Sequence, residues 1–169
     1  MSSCQHLTIH LPQIAQTLDF TCGAACFESM FRFFRGQSLG EIYFAKLLKT
    51  FELGYTPPEN IVELAIVFGF HAYLKRGVEF YEIEKAICQN QVVFVTWWDE
   101  DAGHYSLVKD IRNDHITLMD PWLAREQKDN TLRVTDFKKY WAQRGSVIVI
   151  VSPSVSLSPQ PLGQCTCVR

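Results

Sequence analysis

The stretch TCGAACFESMFRFFRG, residues 21–36, sets Phe27, Met30, Phe31 and Phe34 at i, i+3, i+4 and i+7, one face of an amphipathic helix. It ends on Gly36, a residue suited to the left-handed conformation that closes a helix. Cys22 therefore stands at a helix start, where oriented N–H groups and the positive end of the helix dipole favour a thiolate over a thiol. Gly23 beside it leaves the backbone uncrowded, so a substrate carbonyl can approach the sulfur and the Cys22 N–H can point at a developing oxyanion.

Outward from this helix, the first half of the chain keeps a helical period. SLGEIYFAKLLK (38–49) offers a capping box in Ser38 and Glu41, and TPPENIVELAIVFG (56–69) repeats that logic with Thr56 and Glu59. A short strand, HAYLK (71–75), precedes another helical segment, VEFYEIEKAICQN (78–90). The period then changes. VVFVTWW (92–98), HYSLVKDIR (104–112) and HITLMD (115–120) are β-branched and aromatic runs, the last two joined by Asn113-Asp114, which suits a tight hairpin turn. A short helix around TDFKKYWAQ leads to SVIVIVS, apolar enough for the middle of a sheet. Helices first and antiparallel strands second predict an α+β domain.

The chain has 169 residues, 47% of them hydrophobic, which suits one domain with one core. Sixteen basic against eighteen acidic residues give a net charge of -2, which argues against a nucleic-acid partner. No segment reads as a membrane span or signal peptide, so the expectation is a soluble, cytoplasmic protein. The domain is expected over residues 1–153. Residues 154–169, rich in Ser and Pro and without a period, read as a disordered tail that ends in Cys165 and Cys167. The six cysteines follow no regular framework, so reduced thiols are expected. Cys22 and Cys26 are spaced C-x3-C with no second Cys or His pair nearby, so neither a metal nor any other cofactor is expected.

Three further residues can complete a nucleophilic site. Gln16, six before Cys22, can donate a second hydrogen bond to an oxyanion. His104 opens a strand after Gly103, and Asp120 closes the next one. If the hairpin forms, the two ends lie side by side, so the carboxylate can fix the imidazole while the other ring nitrogen faces the thiol. Trp97, Trp98 and Tyr105 flank the histidine and can wall a cleft that favours small residues next to the scissile bond.

QTLDFTCGAACFESMFRFFRG resembles the signature of the bacteriocin-processing, double-glycine cysteine peptidases, in which Gln stands six before a Cys-Gly that opens a Phe- and Leu-rich helix. GHYSLVKDIRNDHITLMDPW is similar to that family's second signature, with His beginning a strand and the Asp of an Asp-Pro across a hairpin. LGYTPPENIVELAIVFGF and FKKYWAQRGSVIVIV resemble its connecting helix and its closing helix and strand, so the likeness covers about residues 10–152. The resemblance implies a papain-like fold and a peptide or protein substrate. It also implies Gln16 in the oxyanion hole, Cys22 as nucleophile, His104 as base and then acid, and Asp120 orienting the imidazole. The family's best-known members are domains of ATP-driven peptide exporters, whereas this sequence shows no membrane span and no G-x-x-x-x-G-K-[ST] phosphate loop. Acyl transfer, isopeptidase or deamidase chemistry uses the same four residues, and a peptide-binding module without catalysis is a further alternative. Oligomeric state is left open. A chain ending near Pro153 should fold with unchanged stability in urea and keep its activity. A loss of more than about 2 kcal/mol would mean that the tail packs on the domain.

Overall fold

The structure, a computed structural model, describes residues 8–98 and 103–154. Helix α1 spans Cys22–Arg35 and stops at Gly36, whose φ of 67° and N–H bond to the Arg32 carbonyl close the last turn. Short helices α2 (Glu41–Leu47) and α3 (Thr50–Leu53) lead to α4 (Pro58–Val67) and strand β1 (Phe70–Lys75). Helix α5 (Tyr81–Cys88) precedes β2 (Val92–Trp97), β3 (His104–Arg112) and β4 (His115–Met119). A 3-10 turn, Leu123–Glu126, and strand β5 (Asn130–Arg133) then lead to α6 (Val134–Gln143) and β6 (Ile148–Pro153).

The strands form one antiparallel sheet in the order β1-β6-β2-β3-β4-β5. The β3–β4 hairpin turns on Asn113 and Asp114, at φ 48° and 63°, the two left-handed residues that a twisted two-residue loop requires. Strand β6 lies between β1 and β2, and its residues Ile148, Val149, Ile150 and Val151 are all buried, as are Val92 to Val95 of β2. Consecutive burial of this kind requires cover on both sheet faces. Helix α1 packs on β3, α4 on β1 and β6, and α6 on β2. Phe27 and Phe44 pack with ring centroids 4.7 Å apart, joining α1 to α2. Truncating a ring as buried as Phe27 costs about 3–5 kcal/mol.

Strand β3 shifts register between Val108 and Asp110. Such a bulge turns one residue's backbone groups out of the ladder, and the Lys109 carbonyl accepts the Ile9 N–H at 2.8 Å. The segment leading to Gln16 is thereby tied to the strand that begins with His104.

Several expectations are corrected. Neither capping box forms. Helix α2 is preceded by Gly40 without a side-chain cap, because Ser38 donates to Glu28 (2.5 Å) while Glu41 turns to Thr17. Thr56 pairs instead with the Thr50 hydroxyl at 2.8 Å. Cys88 is disulfide-bonded, so reduced thiols hold for Cys22 and Cys26 but not for it. The expected tail, 154–169, lies outside the described residues except for Ser154, whose hydroxyl donates to the Gly69 carbonyl at 2.7 Å. No described helix is long and apolar enough to cross a membrane.

Gly23 also has a packing role beside the one expected. A Cβ there would lie 2.7 Å from the Thr56 Cβ and 2.8 Å from its Oγ1. Close approach of α1 to the Thr56 loop therefore requires glycine. Thr56 cannot easily retreat, since the Tyr105 hydroxyl donates to its carbonyl at 3.0 Å. Gly23→Ala should lower unfolding free energy by about 1–3 kcal/mol in urea titrations. Gly103→Ala, where a Cβ meets nothing within 4 Å, should change it by less than about 0.5 kcal/mol.

Candidate active site

Cys22 is the first residue of α1, whose start has no side-chain cap and no acidic residue in its first turn. The Thr21 hydroxyl, which could have capped it, is engaged with Leu18: it accepts the Leu18 N–H at 3.1 Å and donates to the Leu18 carbonyl at 3.0 Å. The first N–H groups of α1 thus keep their positive end for an anion beside the sulfur. Cys22 is 6% exposed, and Cys26, one turn deeper, is fully buried. Burial first, and then the neighbouring Cys22 and Asp120 charges, push the Cys26 thiol well above its ordinary value.

His104 and Asp120 are brought together by the hairpin. Leu107 faces Met119, and continuing that register makes His104 and Asp120 diagonal neighbours on one face. The distance from His104 Nε2 to Asp120 Oδ1 is 2.6 Å. Asp120 is fully buried, and its oxygens also accept the Trp122 N–H at 3.0 Å and the Asn130 side-chain amide at 2.8 Å. Burial works to raise its carboxyl pKa, but the bonds from His104, Asn130 and Trp122 and the imidazolium charge hold it below the usual value. Burial likewise works to lower the His104 pKa. Hydrogen bonds to Asp120 and then Cys22, with the charges of both, carry it up to about 9. The Cys22 side chain is therefore a direct neighbour of the imidazole, whose Nδ1 is left free by Asp120.

Gln16 is 2% exposed and lies in the loop before α1. Its side-chain nitrogen donates to the Leu18 carbonyl at 2.9 Å and the Asp19 carbonyl at 3.1 Å, so both amide hydrogens are engaged within the loop. Its Oε1 is buried without a partner.

A cleft of about 330 Å³ opens beside Cys22, lined by Phe20, Tyr55, Thr56, Thr96, Gly103 and Tyr105 among others. Of the residues expected to contact substrate, Gly103 and Tyr105 line it. Gly23 packs against Thr56. Trp97 is buried, with its indole N–H on the Ser106 hydroxyl at 3.0 Å. Trp98 covers the imidazole, with ring centroids 4.9 Å apart, and holds a φ of 123°, a conformation that costs a bulky residue energy. Burial pushes the Tyr105 phenol far up, so it stays neutral. Among the described residues, no group of three His, Cys, Asp or Glu could hold a metal ion.

Sequence reasoning missed Asn130 and Thr56. Asn130 carries no signal, since it reaches Asp120 only through the β4–β5 pairing. Thr56 stands before Pro57-Pro58, which restricts it to an extended backbone, but that same context reads as a helix cap.

The Peptidase C39 family matches residues 10–156. No curated protein matches the chain. The fold is similar to the peptidase domain of Streptococcus ComA, a bifunctional ABC transporter in a quorum-sensing pathway, at TM-score 0.72 and 20% identity, covering 86% of this chain and 100% of that one. A double-glycine-motif protease from an AMS/PCAT transporter, solved with its leader peptide, aligns at TM-score 0.70 and 16% identity over 87% of this chain and 94% of that one. A C39-like peptidase from Bacillus anthracis aligns at 0.69 and 16% over 89% and 98%. With the family match covering most of its length, the chain belongs to the Peptidase C39 family and is a cysteine peptidase.

Proposed function

We propose that the chain cleaves a peptide bond after a small residue, glycine foremost, through an acyl-enzyme on Cys22. The observation that carries this is the His104–Asp120 pair beside the Cys22 thiol at an uncapped helix start. With its pKa up at about 9, His104 is an imidazolium at neutral pH, a cation beside the sulfur with a proton to give. Cys22 Sγ attacks the carbonyl carbon, and the oxyanion takes hydrogen bonds from the Cys22 N–H and the Gln16 side chain. Gln16 must then give up one of its loop carbonyls, the longer bond to Asp19 being the weaker. As the C–N bond breaks, the imidazolium gives its proton to the departing amine, and neutral His104 then takes a proton from the water that cleaves the thioester. Asp120 holds the ring and stabilises its charge.

Preference for glycine is supported by Thr56 and Tyr105 lining the cleft beside Cys22, and by the double-glycine protease of similar fold. A peptide-library cleavage assay tests it. Cleavage after small residues is expected, whereas transfer to added amines without hydrolysis, or release of ammonia alone, would replace peptidase chemistry with one of its alternatives.

Cys22→Ala should abolish turnover while far-UV circular dichroism stays unchanged. His104→Ala should slow single-turnover acylation by about 10²–10⁴-fold, and Asp120→Asn by less, since an amide still orients the ring. Equal losses for the last two would contradict the division of roles.

Stability should also track the histidine. Its pKa rises from 6.5 in the unfolded chain to about 9 in the folded one, so the folded state binds the proton more tightly. That contribution is fully present below about pH 6.5 and is lost as pH rises through about 9. Urea unfolding of the wild type against His104→Gln should show the difference between them shrinking across this window, and a constant difference would count against the paired imidazolium.

A further inference from the structure

The backbone on either side of Gln16 is gripped from two directions. On one side, its N–H donates to the Pro121 carbonyl at 3.2 Å, and its carbonyl accepts the Arg125 guanidinium at 2.9 Å. Both partners belong to the segment that immediately follows Asp120, where Arg125 lies 5.6 Å from the Trp122 ring centroid. On the other side, Glu41 at the first turn of α2 accepts the Thr17 N–H at 3.1 Å and the Thr17 hydroxyl at 2.7 Å, and is itself 7% exposed. The peptide unit of Gln16 is thus suspended between the segment that carries the triad carboxylate and the start of a helix in the other half of the fold.

This suspension matters because the Gln16 side chain cannot hold itself in place during acylation. Its resting bonds to Leu18 and Asp19 are the ones it must partly give up to reach an oxyanion. Its position must then come from the backbone, and errors of well under an ångström in a donor's place are costly in acyl transfer.

We propose that Arg125 and Glu41 are positioning residues for acylation, holding the Gln16 loop in fixed register with Asp120 so that the amide reaches the oxyanion. This rests on the reading of Gln16 as an oxyanion donor. Neither residue touches substrate. Both act through the loop.

The test uses Arg125→Ala, Arg125→Lys and Glu41→Gln in the full chain, with two readouts. One is single-turnover acylation by a peptide ester. The other is alkylation of Cys22 by iodoacetamide, which displaces iodide and forms no oxyanion. Arg125 is exposed, so its replacement should leave the fold intact. Acylation should fall about tenfold for Arg125→Ala and Glu41→Gln, with alkylation unchanged and Arg125→Lys recovering most of the loss. Arg125→Ala added to Gln16→Ala should cost nothing further, since the two act on one donor. Parallel falls in acylation and alkylation, or losses that multiply in the double variant, would overturn the positioning role. A Gln16→Ala protein that acylates at full rate is a separate outcome, which would overturn the oxyanion reading and this inference together.

Discussion

A single fully buried carboxylate, Asp120, constrains much of the rest. An ionised group without water must have its lone pairs occupied, or it neutralises at the cost of the structure around it. Here the partners come from three places: His104 at the start of β3, the Trp122 N–H just past the end of β4, and Asn130 at the start of β5. Satisfying one charge therefore fixes the relative positions of three strand ends. Asp120 also raises the His104 pKa, although burial alone would lower it.

Cys22 reaches this pair through packing. Helix α1 is buried along Cys22 to Phe31 and lies against β3, so its first residue has little freedom to drift from the histidine that begins that strand. Gly23 permits the close approach to Thr56, and Tyr105, next to His104 in β3, bonds the Thr56 carbonyl in return. Helical and sheet halves thus meet at Cys22 through contacts from both sides. Trp98, held at an unfavourable φ, lies over the imidazole from the end of β2. Strain of that kind persists only where surrounding contacts compensate for it.

Local pattern made much of this legible in the sequence. The i, i+3, i+4, i+7 apolar positions of α1, Gly36 at its end and Asn113-Asp114 at the hairpin each act within a few residues, and the structure contains the elements they predict. Of the residues that type and spacing single out, the structure sets Cys22, His104 and Asp120 beside one another and Gln16 in the loop before α1. Interactions that depend on tertiary placement were not legible. Ser38 and Glu41 have the spacing of a capping box, but Glu28 and Thr17, distant in sequence, offered them better partners. Trp97 and Trp98 flank the histidine in sequence, yet Trp97, the last residue of β2, is buried opposite His104, whereas Trp98, past the strand's end at a φ of 123°, lies over the imidazole. Asn130 and the Gln16 clamp depend on strand and loop neighbours that no short-range pattern encodes.

The central claim is that the acyl group rides on Cys22 with His104 as its proton carrier. Mass spectrometry of the protein quenched in acid during turnover of an activated peptide ester tests it most directly. An acyl adduct mapping to the peptide that contains Cys22, absent in Cys22→Ala and much slower to form in His104→Ala, is the predicted result. An adduct on Cys26, or undiminished turnover by Cys22→Ala, would contradict the account.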